Sequence, residues 1–469
     1  MTLKISKNNA AVAAVAVVLM AVTACVAAGP FGLGQAMAIT LAMAVACAVP
    51  LGVYGSRPWA TRGGLWLLLA VCAVVAWCGI ADVWSWTIGS GAPISHPKLY
   101  ADDHHYYEWA LRHYDGSGEP LEVMFPGFPL LMVGLWHLFG VSVVWPVAMN
   151  VSFTLLAMVA AAATAHRMLG SRVAVGGAMA AVVTIALSAV LTFFISQGIR
   201  IQKEAIVYLA IALTGYSLAG LRDCRLTRRD AAIFALACVM LAFGRTTYLY
   251  FVALGVGMMA MTDLRRLWRP ALLLGAVVLV LFVVGNHFAY YSIERHAMIV
   301  HGGDEMRAYY VADGAQRPYL NIIGNYFNYP VVKRVAMLPI TMGVQFVIPL
   351  PWFQPGAGMS VDTLLPRMGY GWYAVGALAI FYFVAVSWRR RDCLGWWAWW
   401  LAASYAVIAY ITAGSINRYI LPFEPLMAVL ATYVLCRAVE GRQRRALIWW
   451  CCGFALVLGA ALCLCRVLS

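Results

Sequence analysis

The chain has 469 residues, of which 63% are hydrophobic and only 11% charged, too apolar for an ordinary soluble domain. At roughly 20 residues per crossing of about 30 Å of hydrocarbon, the apolar runs amount to about a dozen helices. This describes an all-α polytopic membrane protein, with residues 1–469 forming one integral domain. Collagen, coiled-coil, disordered and disulfide-stapled secreted classes are excluded, and the formal charge of +14 must be read by position before it suggests any partner.

In chain order the spans are expected near 9–28, 33–54, 64–86, 143–165, 173–195, 205–221, 230–244, 246–262, 270–290, 369–387, 394–413, 420–437 and 446–465, about thirteen transmembrane helices. Basic clusters lie between them: Lys4/Lys7, Arg57/Arg62, Arg167/Arg172, Arg222/Arg225/Arg228/Arg229, Arg265/Arg266/Arg269, Arg389/Arg390/Arg391 and Arg437/Arg442/Arg444/Arg445. With all of these in the cytoplasm, about 20 of the 33 Lys and Arg lie inside with about 5 of the 19 acids, as the positive-inside rule expects. DNA and RNA binding then explain the charge poorly. Val22-Thr23-Ala24-Cys25 looks like a lipoprotein cleavage box, but a second span resumes at once, so 9–28 reads as an uncleaved first span. Ten of the twelve cysteines lie in or beside apolar runs and the other two, Cys224 and Cys393, in expected cytoplasmic loops. They read as small hydrophobes, not as a disulfide framework or zinc site.

Two apolar pieces do not fit as crossings. Phe125 to Gly140 is short and opens Phe-Pro-Gly-Phe-Pro, and Val335 to Phe353 carries Pro339, Pro349 and Pro351. Both read as re-entrant or interfacial helices on the outer face, where protein or water must satisfy the broken backbone. The long outer loops are 87–125, the first and catalytic one, and 291–334, which with 354–368 makes a second outer region over 291–368. The second loop carries Tyr309, Tyr310, Tyr319, Tyr326 and Tyr329, a composition that suits either a headgroup-level aromatic belt or a substrate groove.

The densest polar cluster is Tyr100-Ala101-Asp102-Asp103-His104-His105-Tyr106-Tyr107-Glu108-Trp109-Ala110. At helical spacing Asp102, Tyr106 and Ala110 share one face, with Asp103 and Tyr107 on the next. A carboxylate beside a water-excluding membrane mouth can have a raised pKa and serve as general base toward an acceptor hydroxyl. The bland alternative is a helix start with acids in its first turn. His104, His105 and His113 do not have the spacing of a known zinc motif, although a loosely held divalent cation such as Mg or Mn, shared between Asp103 and a donor phosphate, stays open.

Other basic residues break the topology rule. Arg200, Lys203, Arg245 and Arg418 fall in short outer turns, where positive charge is unfavourable unless an anionic ligand such as a phosphate headgroup compensates it. Local pairing is the competing reading, Arg200 with Glu204 at i,i+4 and Arg418 with Glu424.

Taken together, the pattern resembles the membrane-embedded, lipid-carrier-dependent glycosyltransferases of the GT-C superfamily, including the protein O-mannosyltransferases and the bacterial lipid A aminoarabinose transferases. The resemblance rests on Asp102-Asp103-x-x-Tyr106-x-x-x-Ala110 in the first outer loop, on Phe125-Pro126-Gly127-Phe128-Pro129-Leu130 followed by Phe139-Gly140 and Asn150, on Lys203-Glu204, and on Arg418-Tyr419 with Pro422 and Pro425. These touch 100–250 and 415–430, about a third of the chain. The resemblance implies a GT-C-like fold and inverting transfer of a sugar from a polyprenyl phosphate donor to an acceptor hydroxyl. Asp102 would be the base, Asp103 its partner or a cation ligand, and Tyr106 a shaping residue, while Arg200, Lys203, Arg245 and Arg418 would hold the lipid phosphate. With the uncleaved first span and the positive-inside pattern, it also implies a bacterial inner membrane with the site on the periplasmic face, a eukaryotic endomembrane being the alternative. The second acid is Asp where relatives often have Glu, and no soluble outer domain follows the last span, so the acceptor, whether glycan, lipid or protein, is not carried over. A polysaccharide polymerase or ligase would use the same carriers, and a flippase or transporter would bury charge at mid-membrane, whereas here nearly every charge lies at a boundary.

Overall fold

The computed structural model describes residues 33–99, 101–117, 126–223, 227–288, 326, 329–347, 370–412, 417–441 and 443–468. Regular structure among these residues is helical throughout. Among the described residues seven helices are long and apolar enough to cross a membrane: Gln35–Gly55, Arg62–Ser90, Val144–Leu169, Leu264–Gly285, Gly371–Arg389, Cys393–Thr412 and Leu421–Val439. Gly176–Ala189, Glu204–Ala219 and Tyr248–Ala260 are shorter apolar helices at three other expected crossings, and Arg228–Gly244 and Arg444–Leu468 stand at two more. The expected span at 9–28 lies outside the described residues, as do Tyr309, Tyr310 and Tyr319.

In chain order the helices are α1 (Leu33–Gly55), α2 (Arg62–Trp86), α3 (Ala101–Tyr114), α4 (Gly127–Phe139), α5 (Val144–Leu169), α6 (Gly176–Ala189), α7 (Thr192–Ile199), α8 (Glu204–Ala219), α9 (Arg228–Gly244), α10 (Tyr248–Ala260), α11 (Leu264–Phe288), α12 (Val331–Ala336), α13 (Leu338–Val347), α14 (Tyr370–Ala385), α15 (Cys393–Thr412), α16 (Glu424–Val439) and α17 (Arg444–Leu468). The axis of the bundle is α5, which packs against α1, α6, α8 and α16. The apolar windows of α5 and α16 are 72% and 78% buried, against 17% for α11. An apolar helix that buries so little protein surface, as α11 does, belongs at the lipid-facing rim.

Polar contacts mark the two ends of α5. At its C-terminal end Arg167 makes a bidentate pair with Asp230 at 2.7 and 2.9 Å, while Thr227 caps α9 by accepting from the Asp230 N–H at 3.1 Å. Arg172 reaches Asp392 at 2.5 Å, and Arg437 and the Ala174 N–H both bind Glu440. Basic clusters expected on one side of the membrane are thus stitched together at one end of the bundle. At the N-terminal end of α5, Asn150 reaches the turn that opens α8, and since Arg167 also donates to the Tyr216 carbonyl near the far end of α8, α5 and α8 run parallel.

Two sequence expectations change here. The single span at 173–195 is two helices: Leu191 leaves helical backbone at ψ 69°, and Gly371 packs on the Val190 carbonyl more closely than any side chain at 371 would allow. Cys393, expected in a loop, begins α15 and is buried. The segment after Phe125 is a short helix, as expected. In α4, Phe128, Met132 and Trp136 form a buried i, i+4, i+8 stripe, while Leu131, Leu138 and Phe139 are exposed. Gly127 lets α4 start against α9, since a Cβ there would come to 2.6 Å from the Phe243 carbonyl oxygen.

Candidate active site

Helix α3 forms where the sequence places Asp102 and Asp103 in its first turn and Arg112 and His113 in its last, charges of the favourable sign for both ends of the helix dipole. Glu108 sits 3.4 Å from His104 and 3.6 Å from Arg112, one turn either way. The buried face carries Asp103, Tyr107 and Ala110. Tyr107 is fixed by donating its hydroxyl to the Ser95 carbonyl at 2.9 Å and by an edge contact with Trp136 of α4 at 4.9 Å. Because α3 is clamped on this side, the adjacent Asp102/Tyr106 face turns toward the turns that open α8, follow α9 and precede α16. His104 and His105 are exposed, away from those turns.

Those turns supply the basic groups. Asn150, fully buried in α5, donates its side-chain amide to the Arg200 and Gln202 carbonyls, holding the 200–203 turn beside α3. Lys203 donates to the Tyr106 hydroxyl and lies 4.7 Å from the centre of that ring. Glu204, only 3% exposed, approaches Arg245 at 3.5 Å. The Arg245 guanidinium lies 4.1 Å from the Tyr419 ring centre and 5.6 Å from that of Tyr248, and Tyr248 donates to the Tyr419 carbonyl at 2.8 Å. Arg418 closes the cluster with an ion pair to Asp102 at 2.5 Å.

The residues singled out from sequence therefore come together. Asp102, Tyr106, Lys203, Arg245 and Arg418 are linked through direct contacts or through Glu204 and Tyr419, and Arg200 lies close enough to Asp103 to act on its charge. Of the local pairs offered as the bland alternative, Arg418 takes Asp102 instead of Glu424, and Glu204 faces Arg245 across the cluster. Sequence reasoning did not assign Gln202, Glu204, Tyr248 or Tyr419 to the site. A usable signal existed for Glu204 and Tyr419, each a neighbour of a basic residue already set apart, but none for Tyr248.

Four bases face three acids, and their environments pull the acids apart. Burial alone would raise the Asp102 carboxyl, but Arg418 first, then Lys203 and Arg245, outweigh it and hold it below the usual carboxylate range. Burial pushes Asp103 up to about 6; Arg200 and Gln202 oppose this, while Glu204 and Asp102 add to it. The raised carboxyl expected of the acid pair is thus Asp103, and Asp102, the residue assigned as base, is lowered. The physical cause is helix phase: a 100° step turns Asp103 into protein and Asp102 onto guanidinium. Burial also brings the Lys203 ammonium down to about 7, with Arg245 and Arg418 adding to the effect and Glu204 opposing it. Among the described residues no group of three His, Cys, Asp or Glu side chains stands ready to hold a metal ion.

No family model matches the sequence, and no curated protein matches it. Among solved structures the chain is similar to the archaeal oligosaccharyltransferase AglB from Archaeoglobus fulgidus, in complex with an inhibitory peptide and a dolichol-phosphate, at 12% identity and a TM-score of 0.45. The match covers 82% of this chain and 54% of that one, so this chain spans about half the length of the archaeal protein.

Proposed function

We propose that the chain is a lipid-carrier-dependent glycosyltransferase that moves a sugar from a polyprenyl phosphate donor to a hydroxyl on a lipid, glycan or protein acceptor at the outer face of a bacterial inner membrane. The observation that carries the reading is the meeting of Arg418, Lys203, Arg245 and Arg200 with an acid pair at one end of a bundle of apolar helices. Basic side chains gathered where they oppose the topology rule call for an anion, and a fixed guanidinium pair with an ammonium suits a phosphate.

In the proposed step Asp102 accepts the acceptor's hydroxyl proton as that oxygen attacks the anomeric carbon. The bond from that carbon to the phosphate oxygen breaks with inversion, and the departing phosphate's charge is met by Arg418, Lys203 and Arg245. Exposure selects Asp102 as the base: its side chain is 40% exposed, and Asp103 is 4% exposed. Asp103 stays behind it as a partner near Gln202 and Arg200, and Tyr106 fixes the direction of Lys203. A donor phosphate competes with Asp102 for Arg418, and as Arg418 moves to the phosphate the carboxylate recovers basicity, which couples donor binding to activation of the base.

The test is transfer from synthetic polyprenyl phosphate sugars by the full chain in nanodiscs, with product linkage read by mass spectrometry. A single added sugar of inverted configuration, lost on Asp102→Asn, is the expected result. A polymer built from preassembled repeats would replace the reading by a polymerase or ligase. Transbilayer movement of the lipid without any new glycosidic bond would replace it by a flippase.

A further inference from the structure

A second group of basic and aromatic residues takes no part in this site. Tyr410 stands two residues from the C-terminal end of α15, the end from which the chain continues to Arg418. Tyr326, fully buried, donates its hydroxyl to the Tyr410 carbonyl at 3.1 Å and packs its ring edge-on against the Tyr410 ring, which pins the start of the 329–347 segment to that end of α15. The Tyr329 N–H then bonds the Tyr326 carbonyl at 3.1 Å, and α12 follows.

The short helix α12 is inverted relative to a water-facing helix. Val331, Val332 and Val335 are 57%, 82% and 53% exposed, and Arg334 between them is 4% exposed. Valines on the outside indicate a lipid-facing surface at headgroup depth, and the arginine is drawn inward. Its guanidinium lies 5.2 Å from the Tyr410 ring centre, and its Nε is buried without a hydrogen-bond acceptor. Lys333 extends to the rim, its ammonium 3.5 Å from the centre of the Tyr329 ring. Among the described residues no carboxylate pairs with either base, in contrast to Arg167, Arg172, Arg245, Arg390, Arg418 and Arg437, which all have acids. A buried guanidinium set against a ring face, with its Nε unpartnered, is costly, and it becomes favourable when a phosphate offers two oxygens to its planar fork.

We propose that Arg334 and Lys333, backed by Tyr410 and Tyr329, form a second anion site that takes the phosphate of a lipid arriving from the adjoining leaflet. The eight residues from Tyr410 to Arg418 keep the Cα atoms of those two residues within about 28 Å of each other, so a short connection of chain ties the second lipid-phosphate position to the first. Phosphate on an ordinary phospholipid and phosphate on a polyprenyl carrier present the same oxygens, and both can approach across the valine face. The assignment does not depend on the transferase reading, since it requires a lipid phosphate and no chemistry.

The test counts bound lipid on the purified full chain in detergent by native mass spectrometry, with polyprenyl phosphate, phosphatidylglycerol and uncharged polyprenol as probes, and follows thermal stabilisation by each. Wild type should hold two polyprenyl phosphates. Arg334→Gln and Lys333→Gln should each weaken one of them about tenfold, the scale of a lost charge-assisted contact, and should keep the position that Arg418→Gln removes. If phosphatidylglycerol binding falls in parallel, the source is the phospholipid headgroup; if only polyprenyl phosphate binding falls, it is the carrier. Both results support the site. Wild-type stoichiometry and affinity in Arg334→Gln and Lys333→Gln, or equal binding of polyprenol, would overturn it. Lys333 is exposed, so its variant reports even if the Arg334 change impairs folding. Absence of any transfer by the wild-type chain with both lipid positions occupied would count against the proposed function and leave this site standing.

Discussion

Replacing Asp102 by Asn should separate binding from turnover in opposite directions. In the wild type Arg418 is held by Asp102 at 2.5 Å, with the two side chains 40% and 34% exposed. An ion pair this open to solvent lies between a surface pair, worth about 0–1 kcal/mol, and the 3–5 kcal/mol lost on breaking a buried one, so about 1–2 kcal/mol is a fair measure of what a phosphate must displace. Asn removes that competition and a negative charge beside the incoming anion. At 1.4 kcal/mol per decade, Asp102→Asn should bind polyprenyl phosphate about 5- to 30-fold more tightly. Transfer should meanwhile fall by about 10² to 10⁴, the usual contribution of a positioned base, so KM and kcat drop together. The assay is equilibrium binding of polyprenyl phosphate to the full chain in nanodiscs beside single-turnover transfer, with Arg418→Gln and the double variant closing the cycle. Unchanged or weaker phosphate binding in Asp102→Asn would refute the idea that this pair governs Arg418, and a gain surviving in the double variant would show that another base receives the phosphate.

Lipid-phosphate affinity should fall as pH rises through the neutral range. Lys203 loses its charge above about 7 and Asp103 gains one above about 6, so both titrations subtract from the pull on an anion in the same direction. Lys203→Arg, charged throughout, should flatten the upper part of the binding profile, and an unaltered profile would remove Lys203 from the phosphate site. Asn150→Ala removes both donors that hold the 200–203 turn; it should cost about 1–3 kcal/mol of stability and weaken phosphate binding without touching Asp102. A melting temperature and affinity equal to wild type would show the turn to be held by other contacts.

Local periodicity and hydropathy carried a good deal of this protein. A stretch of some twenty apolar residues has few alternatives to a buried helix, so most segments expected to cross are helical in the structure, and α4 is the short helix expected after Phe125. The face shared by Asp102 and Tyr106 also follows from 3.6 residues per turn, and charge against the topology rule was enough to single out Arg200, Lys203, Arg245 and Arg418 before any contact was known.

What the sequence could not decide is which charge meets which. Asp102 and Arg418 are 316 residues apart, and Glu204 reaches Arg245 across 41; pairing over such separations is set by how helices pack, which no local pattern encodes. Nor could it tell which of two adjacent aspartates would be buried, since that depends on the clamp of Tyr107 and Trp136 that fixes the rotation of α3. Rotation of that one helix turns Asp103 inward, where desolvation raises its carboxyl, and sets Asp102 against a guanidinium that lowers it. Composition and period determined a bundle of apolar helices and set apart the basic residues that meet at one end of it; tertiary packing alone decided the electrostatic environment of each residue there, because desolvation and Coulomb energy depend on distance in space and not on distance along the chain.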